Sequence, residues 1–250
     1  MSHAIYPSLA GKSVVITGGG SGIGADIVSG FVRQQSRVFF LDIDQKGARH
    51  VIEQCGGAPE FVACDLTDLT ALKTAFARIE SKAGPITALV NNAANDDRHK
   101  TLEVTPEYWD NRMAVNLRHY FFAAQAVIPG MSRAGGGSII NLGSVSWHLG
   151  LPDLALYETA KAGIEGMTRA IARDVGDYNV RVNCVIPGAI RTPRQMALWH
   201  TPEEEAKILA QQCIKTRVEP VDVSAMVLFL ASDDARLCTG HSYWVDAGYC

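Results

Sequence analysis

Residues 12–24 read Lys-Ser-Val-Val-Ile-Thr-Gly-Gly-Gly-Ser-Gly-Ile-Gly. The first six form a short, apolar, β-branched run of the kind that makes a buried strand. After the glycines, Ile23, Ile27 and Phe31 recur every four residues, with Val28 and Val32 beside them, as on one face of a helix. The glycines therefore occupy a strand-to-helix turn. A helix starts with unpaired backbone N–H groups and the positive end of its dipole, so such a turn can hold a pyrophosphate if no side chain intrudes. Gly18, Gly22 and Gly24 meet that need in the spacing G-x-x-x-G-x-G, and Gly20, Ser21 and Ile23 complete the candidate cradle.

Outward from this turn the same alternation continues. Apolar runs at 37–42, 60–65, 86–91, 138–142 and 180–185 read as strands. Between them, 44–54, a stretch from Thr67 or Asp68 to Ala83, a long stretch from Thr105-Pro106-Glu107 towards Val127, and 157–174 read as helices. Past Pro187 come a polar, arginine-bearing loop with Trp199, a helix opened by Thr201-Pro202-Glu203-Glu204, an apolar helix at 222–231 and a last strand at 242–246. Near-continuous apolar strands alternating with helices predict an α/β chain: a Rossmann-type, doubly wound parallel sheet with helices on both faces. No repeat or linker divides it, so 1–250 reads as a single domain with a lid at about 188–215.

Composition excludes several classes. The 250 residues are 47% hydrophobic and 20% charged, with a formal charge of −3 and no basic block, which argues against a nucleic-acid partner. Apolar runs such as 225–231 are too short to span a bilayer, and the leading Met-Ser-His-Ala-Ile-Tyr-Pro has no export-signal pattern, so a cytoplasmic protein is expected. The six cysteines form no C-x-x-C pair and have no His at zinc spacing. They read as inert thiols in a reducing compartment with no metal site, the terminal Cys250 being the candidate for oxidation.

Two further sets of residues carry chemistry. Asp42 ends the second strand, 18 residues after Gly24. A carboxylate there can accept both ribose hydroxyls of NAD and would repel the 2′-phosphate of NADP, and no Lys or Arg stands at 18–24 or 39–45 to bind that phosphate. Asp65, after the third strand, is placed to meet the adenine. Tyr157 and Lys161 are four residues apart, hence on one helix face, where an ammonium can favour the phenolate and bring it towards working pH. Ser144 ends the preceding strand and can polarise a substrate oxygen. Asn116 sits within a helix among largely apolar neighbours, where a polar residue is locally unfavourable, which suggests a role in the interior.

Taken in order, TGGGSGIG at 17–24, Asp65, NNA at 91–93, Asn116, Ser144, Tyr157-x-x-x-Lys161 and Pro187-Gly188 with Thr192 resemble the short-chain dehydrogenase/reductase family over nearly the whole chain. The resemblance implies seven parallel strands, a homotetramer, Tyr157 as catalytic base, Ser144 as orienter, Lys161 on the nicotinamide ribose and Asn116 holding a water in a proton relay. It implies cofactor contacts from Leu66, Asn92, Ala93, Pro187, Gly188, Ile190 and Thr192 as well, with Asn91 supporting the central strand. Ala94 departs from the usual glycine, a change expected to be tolerated. Phe121, Phe122 and Met167 look like exposed apolar positions through which subunits would pair.

Three stretches would border the mouth of the cleft: 95–100, 146–151, and 191–195 with Trp199. Asn, Asp, His and Arg offer hydrogen bonds to several hydroxyls, and Trp offers a flat face to a sugar ring. With the C-terminal CTGHSYWVDAG they resemble the aldose 1-dehydrogenase branch of the family. The expected reaction is NAD-dependent oxidation of the anomeric hydroxyl of an aldopyranose, D-xylose or L-arabinose, to the lactone. Asn95, Ser146, Trp147, His148 and Arg194 are the expected sugar contacts beside Ser144 and Tyr157. The alternative is another alcohol or ketone, such as a 3-oxoacyl thioester or a hydroxysteroid.

Overall fold

A computed structural model describes residues 4–199 and 201–250; the leading Met-Ser-His, part of the stretch read for an export signal, lies outside them. Seven strands form one parallel sheet: β1 (Ser13–Thr17), β2 (Arg37–Asp42), β3 (Glu60–Ala63), β4 (Ala88–Asn91), β5 (Gly137–Leu142), β6 (Val180–Pro187) and β7 (Ser242–Val245). Their spatial order is β3-β2-β1-β4-β5-β6-β7. The chain runs outward from β1 to β3, then returns to the other side of β1 with β4. That reversal leaves a crevice at the carboxyl ends of β1 and β4.

Every residue of β1 is buried, because helices cover both faces. Val14 and Ile16 join a core with Ile27 and Phe31 of α1 (Gly22–Arg33) and Val227 and Leu228 of α10 (Pro220–Ala231). Val15, one residue out of phase, joins Leu72, Phe76 and Ile79 of α3 (Leu69–Ala83) and Val127 of α5 (His119–Arg133) on the opposite face. Burying a side chain the size of Phe31 contributes ~1.5–3 kcal/mol.

The predicted punctuation is visible in the caps. Asp44 accepts from the amides of Lys46 and Gly47 to open α2 (Gln45–Gln54). Asp68, not Thr67, caps α3. Thr105 caps α4 (Pro106–Met113) with Pro106 at its start. Three features differ from expectation. The long helix from Thr105 is broken: α4 passes into a π-helical turn, Ala114–Arg118, before α5 begins. A single-turn helix, α6 (Ser146–Leu149), follows β5 and stops at Gly150 in the left-handed region. The loop after β6 holds α8 (Pro193–Leu198), capped by Thr192, ahead of α9 (Pro202–Gln211). The remaining helix, α7 (Ala155–Val175), carries Tyr157 and Lys161. No described helix is long and apolar enough to cross a membrane.

Candidate active site

The crevice opens into a cleft of about 780 Å³. Its floor is the glycine turn, Gly18 with Ser21 to Gly24. A Cβ on Gly24 would lie 1.9 Å from the Gly18 carbonyl oxygen, and Gly18, at φ +69°, would bring a Cβ within 2.7 Å of Ala93 Cα. Only glycine fits either position. Thr17 Oγ1 accepts from the amides of Asn92 (3.0 Å) and Ala93 (3.2 Å), and Asn92 Nδ2 donates to the carbonyls of Thr17 and Gly18. The turn and the end of β4 are thereby tied together.

Ser21 makes no capping bond to α1, whereas α2, α3, α4, α8 and α9 are each capped by a side chain. The start of α1 thus meets the cleft with uncapped N–H groups and glycine on both sides, which fits a pyrophosphate. Towards β2 and β3 the lining is Asp42, Asp65 and Leu66. Asp42 holds the turn: Oδ2 accepts from Gly20 N (2.8 Å) and Oδ1 from Asp44 N (2.9 Å). Gly20 itself does not line the cleft; its amide faces Asp42. Asp65 Oδ1 accepts from the amide and hydroxyl of Thr67. Asn92, Ala93, Ala94, Pro187, Gly188, Ile190 and Thr192 line the wall from β4 and β6, so Ala94 is accommodated there.

At the other end Ser144, Tyr157 and Lys161 meet. Ser144 Oγ donates to Ser146 Oγ (2.9 Å). Lys161 is 1% exposed, and its Nζ donates to the Leu142 carbonyl (2.7 Å) and to the Tyr120 hydroxyl (3.2 Å). Nζ lies 5.5 Å from the centre of the Tyr157 ring. The expectation that the ammonium lowers the phenol is not met here. Burial and then the Asp96 carboxylate raise Tyr157, opposed by the Ser144 hydroxyl, while burial lowers the Lys161 amine to about 8. Desolvation disfavours both charges and is the largest cause of both shifts.

Asn116 lies in the π-turn, fully buried and outside the cleft lining. Its Oδ1 accepts from Asn95 N at 2.7 Å, so it supports the loop after β4. Three residues on, His119 is buried with Nε2 3.1 Å from the Ala93 carbonyl; burial lowers its imidazole to about 4. Asn91 Nδ2 donates to Asn141 Oδ1 and to the Tyr120 carbonyl, bracing β4 against β5 and α5.

The mouth is lined by Asn95, Asp96 and Arg98, by Ser146, and by Arg194, Gln195 and Trp199. Its two walls are latched. Arg194 donates to Asp96 (3.2 Å) and Asp97 (2.7 Å), Gln195 Nε2 donates to Asp96 (2.6 Å), and the Arg98 guanidinium lies 4.6 Å from the Trp199 ring centre. Two expected sugar contacts are corrected. Trp147 and His148 do not line the cleft. Trp147 Nε1 donates to Glu165 at 2.7 Å, His148 Nε2 lies 3.0 Å from the same oxygen, and the His148 ring packs between Trp147 and Trp244. The single turn of α6 rotates both outward over α7 and β7. Trp199 is the tryptophan that reaches the cleft. Sequence reasoning missed Tyr249, held there by Asp246, which accepts from the amides of Gly248, Tyr249 and Cys250. It also missed Tyr120 and His119, whose only signal was their spacing from Asn116.

Of the apolar positions assigned to subunit pairing, Phe121 is exposed, whereas Phe122 and Met167 pack against the core. Among the cysteines, Cys64 and Cys184 are buried and Cys213 and Cys250 exposed. Burial and Asp246 raise the Cys250 thiol, which disfavours its reactive thiolate.

Comparison with known proteins agrees with this architecture. Residues 18–250 match a family model described as enoyl-(acyl carrier protein) reductase. The chain is 59% identical to D-xylose 1-dehydrogenase of Caulobacter vibrioides over the full length of both. It is 44% identical to a probable galactose dehydrogenase of Rhizobium meliloti, over 97% of this chain and 96% of that one. The crystal structure of a candidate short-chain alcohol dehydrogenase from Sinorhizobium meliloti superposes with a TM-score of 0.90 at 29% identity, covering 97% of this chain and 98% of that one. The glycine turn, the Ser-Tyr-Lys grouping and these full-length matches make the chain a member of the short-chain dehydrogenase/reductase family, whose dehydrogenases use NAD(P).

Proposed function

We propose that this chain is an NAD-dependent sugar 1-dehydrogenase, oxidising the anomeric C1 hydroxyl of an aldopyranose, D-xylose or L-arabinose, to the lactone. The observation that carries the reading is one cleft with Ser144, Tyr157 and Lys161 in its depth and Asn95, Asp96, Arg98, Arg194 and Gln195 at its mouth. Polar groups on both walls suit a ring with several hydroxyls. A site built to hydrogen-bond each of them rejects an epimer that leaves a partner unpaired. The likeness to D-xylose and galactose dehydrogenases supports the same substrate class.

Ser144 would hold the C1 oxygen by a hydrogen bond, and Tyr157 would take its proton as the carbonyl forms. NAD, when bound, supplies the acceptor for the hydride leaving C1. Lys161 would hold the nicotinamide ribose, and Asn116 would hold a water for the proton's onward path. Asp42 would accept the adenine-ribose hydroxyls, Asp65 and Leu66 would flank the adenine, and residues 188–215 would close over the substrate. The flat face for the sugar is Trp199 in place of Trp147. A cytoplasmic homotetramer belongs to the same proposal, with the exposed Phe121 and Trp109 as apolar surface for assembly.

The test is the initial rate of cofactor reduction over a panel of pentoses and hexoses, against acyl and steroid alcohols, with NAD and with NADP. A pentose with NAD is expected to be fastest, and Tyr157→Phe to lose at least ~10³-fold in kcat. A faster acyl or steroid substrate, or full turnover by Tyr157→Phe, overturns the proposal.

A further inference from the structure

Tyr120 stands in the apolar stretch Tyr120-Phe121-Phe122 and is fully buried, so it reads as a core aromatic. Its hydroxyl says otherwise. A buried phenol O–H requires a partner, and Tyr120 has one in the Leu142 carbonyl at 3.3 Å. The same hydroxyl lies 3.2 Å from Lys161 Nζ, which also donates to Leu142 O at 2.7 Å. An ammonium has three protons and no lone pair. The phenol must therefore accept from Lys161 while donating to Leu142, which leaves the third ammonium proton free. The Nζ also lies 5.3 Å from the Tyr120 ring centre and 5.5 Å from that of Tyr157, each within cation–π range. One lysine thus stands between two tyrosines: Tyr157, which lines the cleft, and Tyr120, which does not.

The π-turn explains the placement. Asn116, His119 and Tyr120 fall on one side of the helix and reach the Asn95 amide and the Ala93 carbonyl just past β4 and the Leu142 carbonyl at the end of β5.

We propose that Tyr120 is a positioning residue for the reaction: its hydroxyl, together with the Leu142 carbonyl, clamps the Lys161 ammonium beside Tyr157. The inference rests on the reading of Tyr157 and Lys161 given above. The clamp leaves the two phenols with different tasks. Tyr120 is buried deeper in the fold, and burial together with Tyr157 raises it well above the ordinary phenol range, so it stays a neutral acceptor. Tyr157 meets the cleft and is the phenol that exchanges a proton with substrate.

The other titratable groups facing Lys161 are Asp96 from the loop after β4, His119 from α5 and Cys184 from β6. Burial holds His119 down at about 4 and Cys184 up at about 12, so neither changes charge in the neutral or mildly alkaline range.

The test follows the titration of Lys161 directly, by NMR of protein carrying 13C at the lysine Cε, with the signal assigned by its loss in Lys161→Arg. Removing one of two acceptors from the ammonium in Tyr120→Phe lowers the Lys161 midpoint by about one unit. Tyr120→Gln, which restores an oxygen acceptor without the ring, returns most of that shift. The apparent pKa values of the kcat profile for the aldose, with NAD, move in Tyr120→Phe, while KM for the sugar stays within about twofold.

An unmoved lysine midpoint in Tyr120→Phe overturns the clamp. So does a Tyr120→Gln shift as large as that of Tyr120→Phe, since packing would then set the midpoint. If Tyr157→Phe abolishes turnover and Tyr120→Phe changes neither titration nor profile, only the clamp fails; full turnover by Tyr157→Phe removes the reading beneath it.

Discussion

Replacing Asp42 by asparagine separates the bracing of the glycine turn from the cofactor role proposed for the same carboxylate. Each oxygen accepts from a backbone amide, Gly20 N at 2.8 Å and Asp44 N at 2.9 Å. Asparagine offers one oxygen and one NH2 group, so in either orientation one amide faces a donor and loses its partner. At a half-buried site the cost is about 1 kcal/mol, which in a domain of this size lowers Tm by about 2–4 °C. The second, proposed task is cofactor choice. Two ribose hydroxyls donating to a carboxylate, at about 1.5 kcal/mol each, supply about 3 kcal/mol, or ~10²-fold in kcat/KM for NAD. Loss of the negative charge also removes the repulsion of a 2′-phosphate, so NADP turnover is expected to stay level or rise. The assay is the initial rate with each cofactor at saturating aldose, with a thermal melt of the same preparations. The kcat/KM ratio of NAD to NADP should fall at least ~10²-fold in Asp42→Asn. A ratio within about threefold of wild type, with the Tm loss present, would show that Asp42 only braces the glycine turn.

The two tryptophans should part company: Trp147→Ala, which breaks the bond to Glu165 and the packing on His148, is expected to lower stability by about 2 kcal/mol while leaving KM for the sugar within twofold. Trp199→Ala should raise that KM about tenfold at nearly unchanged stability, and the reverse pattern in steady-state kinetics and urea melts would restore Trp147 as the sugar face. His119 supplies an acid-sensitive contribution, because its imidazole is lowered from 6.5 to about 4 in the fold. Above pH 6.5 neither state is protonated; between 6.5 and 4 the unfolded chain binds a proton that the fold refuses, so stability falls on acidification, by about 2 kcal/mol at pH 5. Urea denaturation at pH 7 and pH 5 should show that much greater loss in wild type than in His119→Gln, and equal losses would refute it.

Much of this molecule was legible from residues because the informative features repeat or have strict steric needs. Strand burial and helix period announce the parallel sheet, and the glycine turn tolerates no Cβ at Gly18 or Gly24. Tyr157 and Lys161 meet because four residues span one helical turn. What stayed hidden depends on direction more than on residue type. The π-turn at Ala114–Arg118 shifts the phase of the helix with no glycine or proline to mark it, so the inward aim of Tyr120 could not be seen. Trp147 was misplaced because a helix of one turn has no periodicity to tell its faces apart. The dominance of burial at Tyr157 also escaped, since spacing reports neighbours and not the loss of water.

The latch across the mouth bears on how this scaffold can be re-engineered. Tyr157 and Lys161 are carried by a long helix, whereas the groups at the entrance sit on the loop after β4 and on the short α8, joined to each other through Asp96, Asp97, Arg194 and Gln195. Grafting either segment alone from a homologue would strand its charged counterpart. Residues 95–98 and 194–199 form a cassette to be transplanted together, and recombination libraries that keep the two in step should yield functional chimaeras far more often than libraries that shuffle them independently.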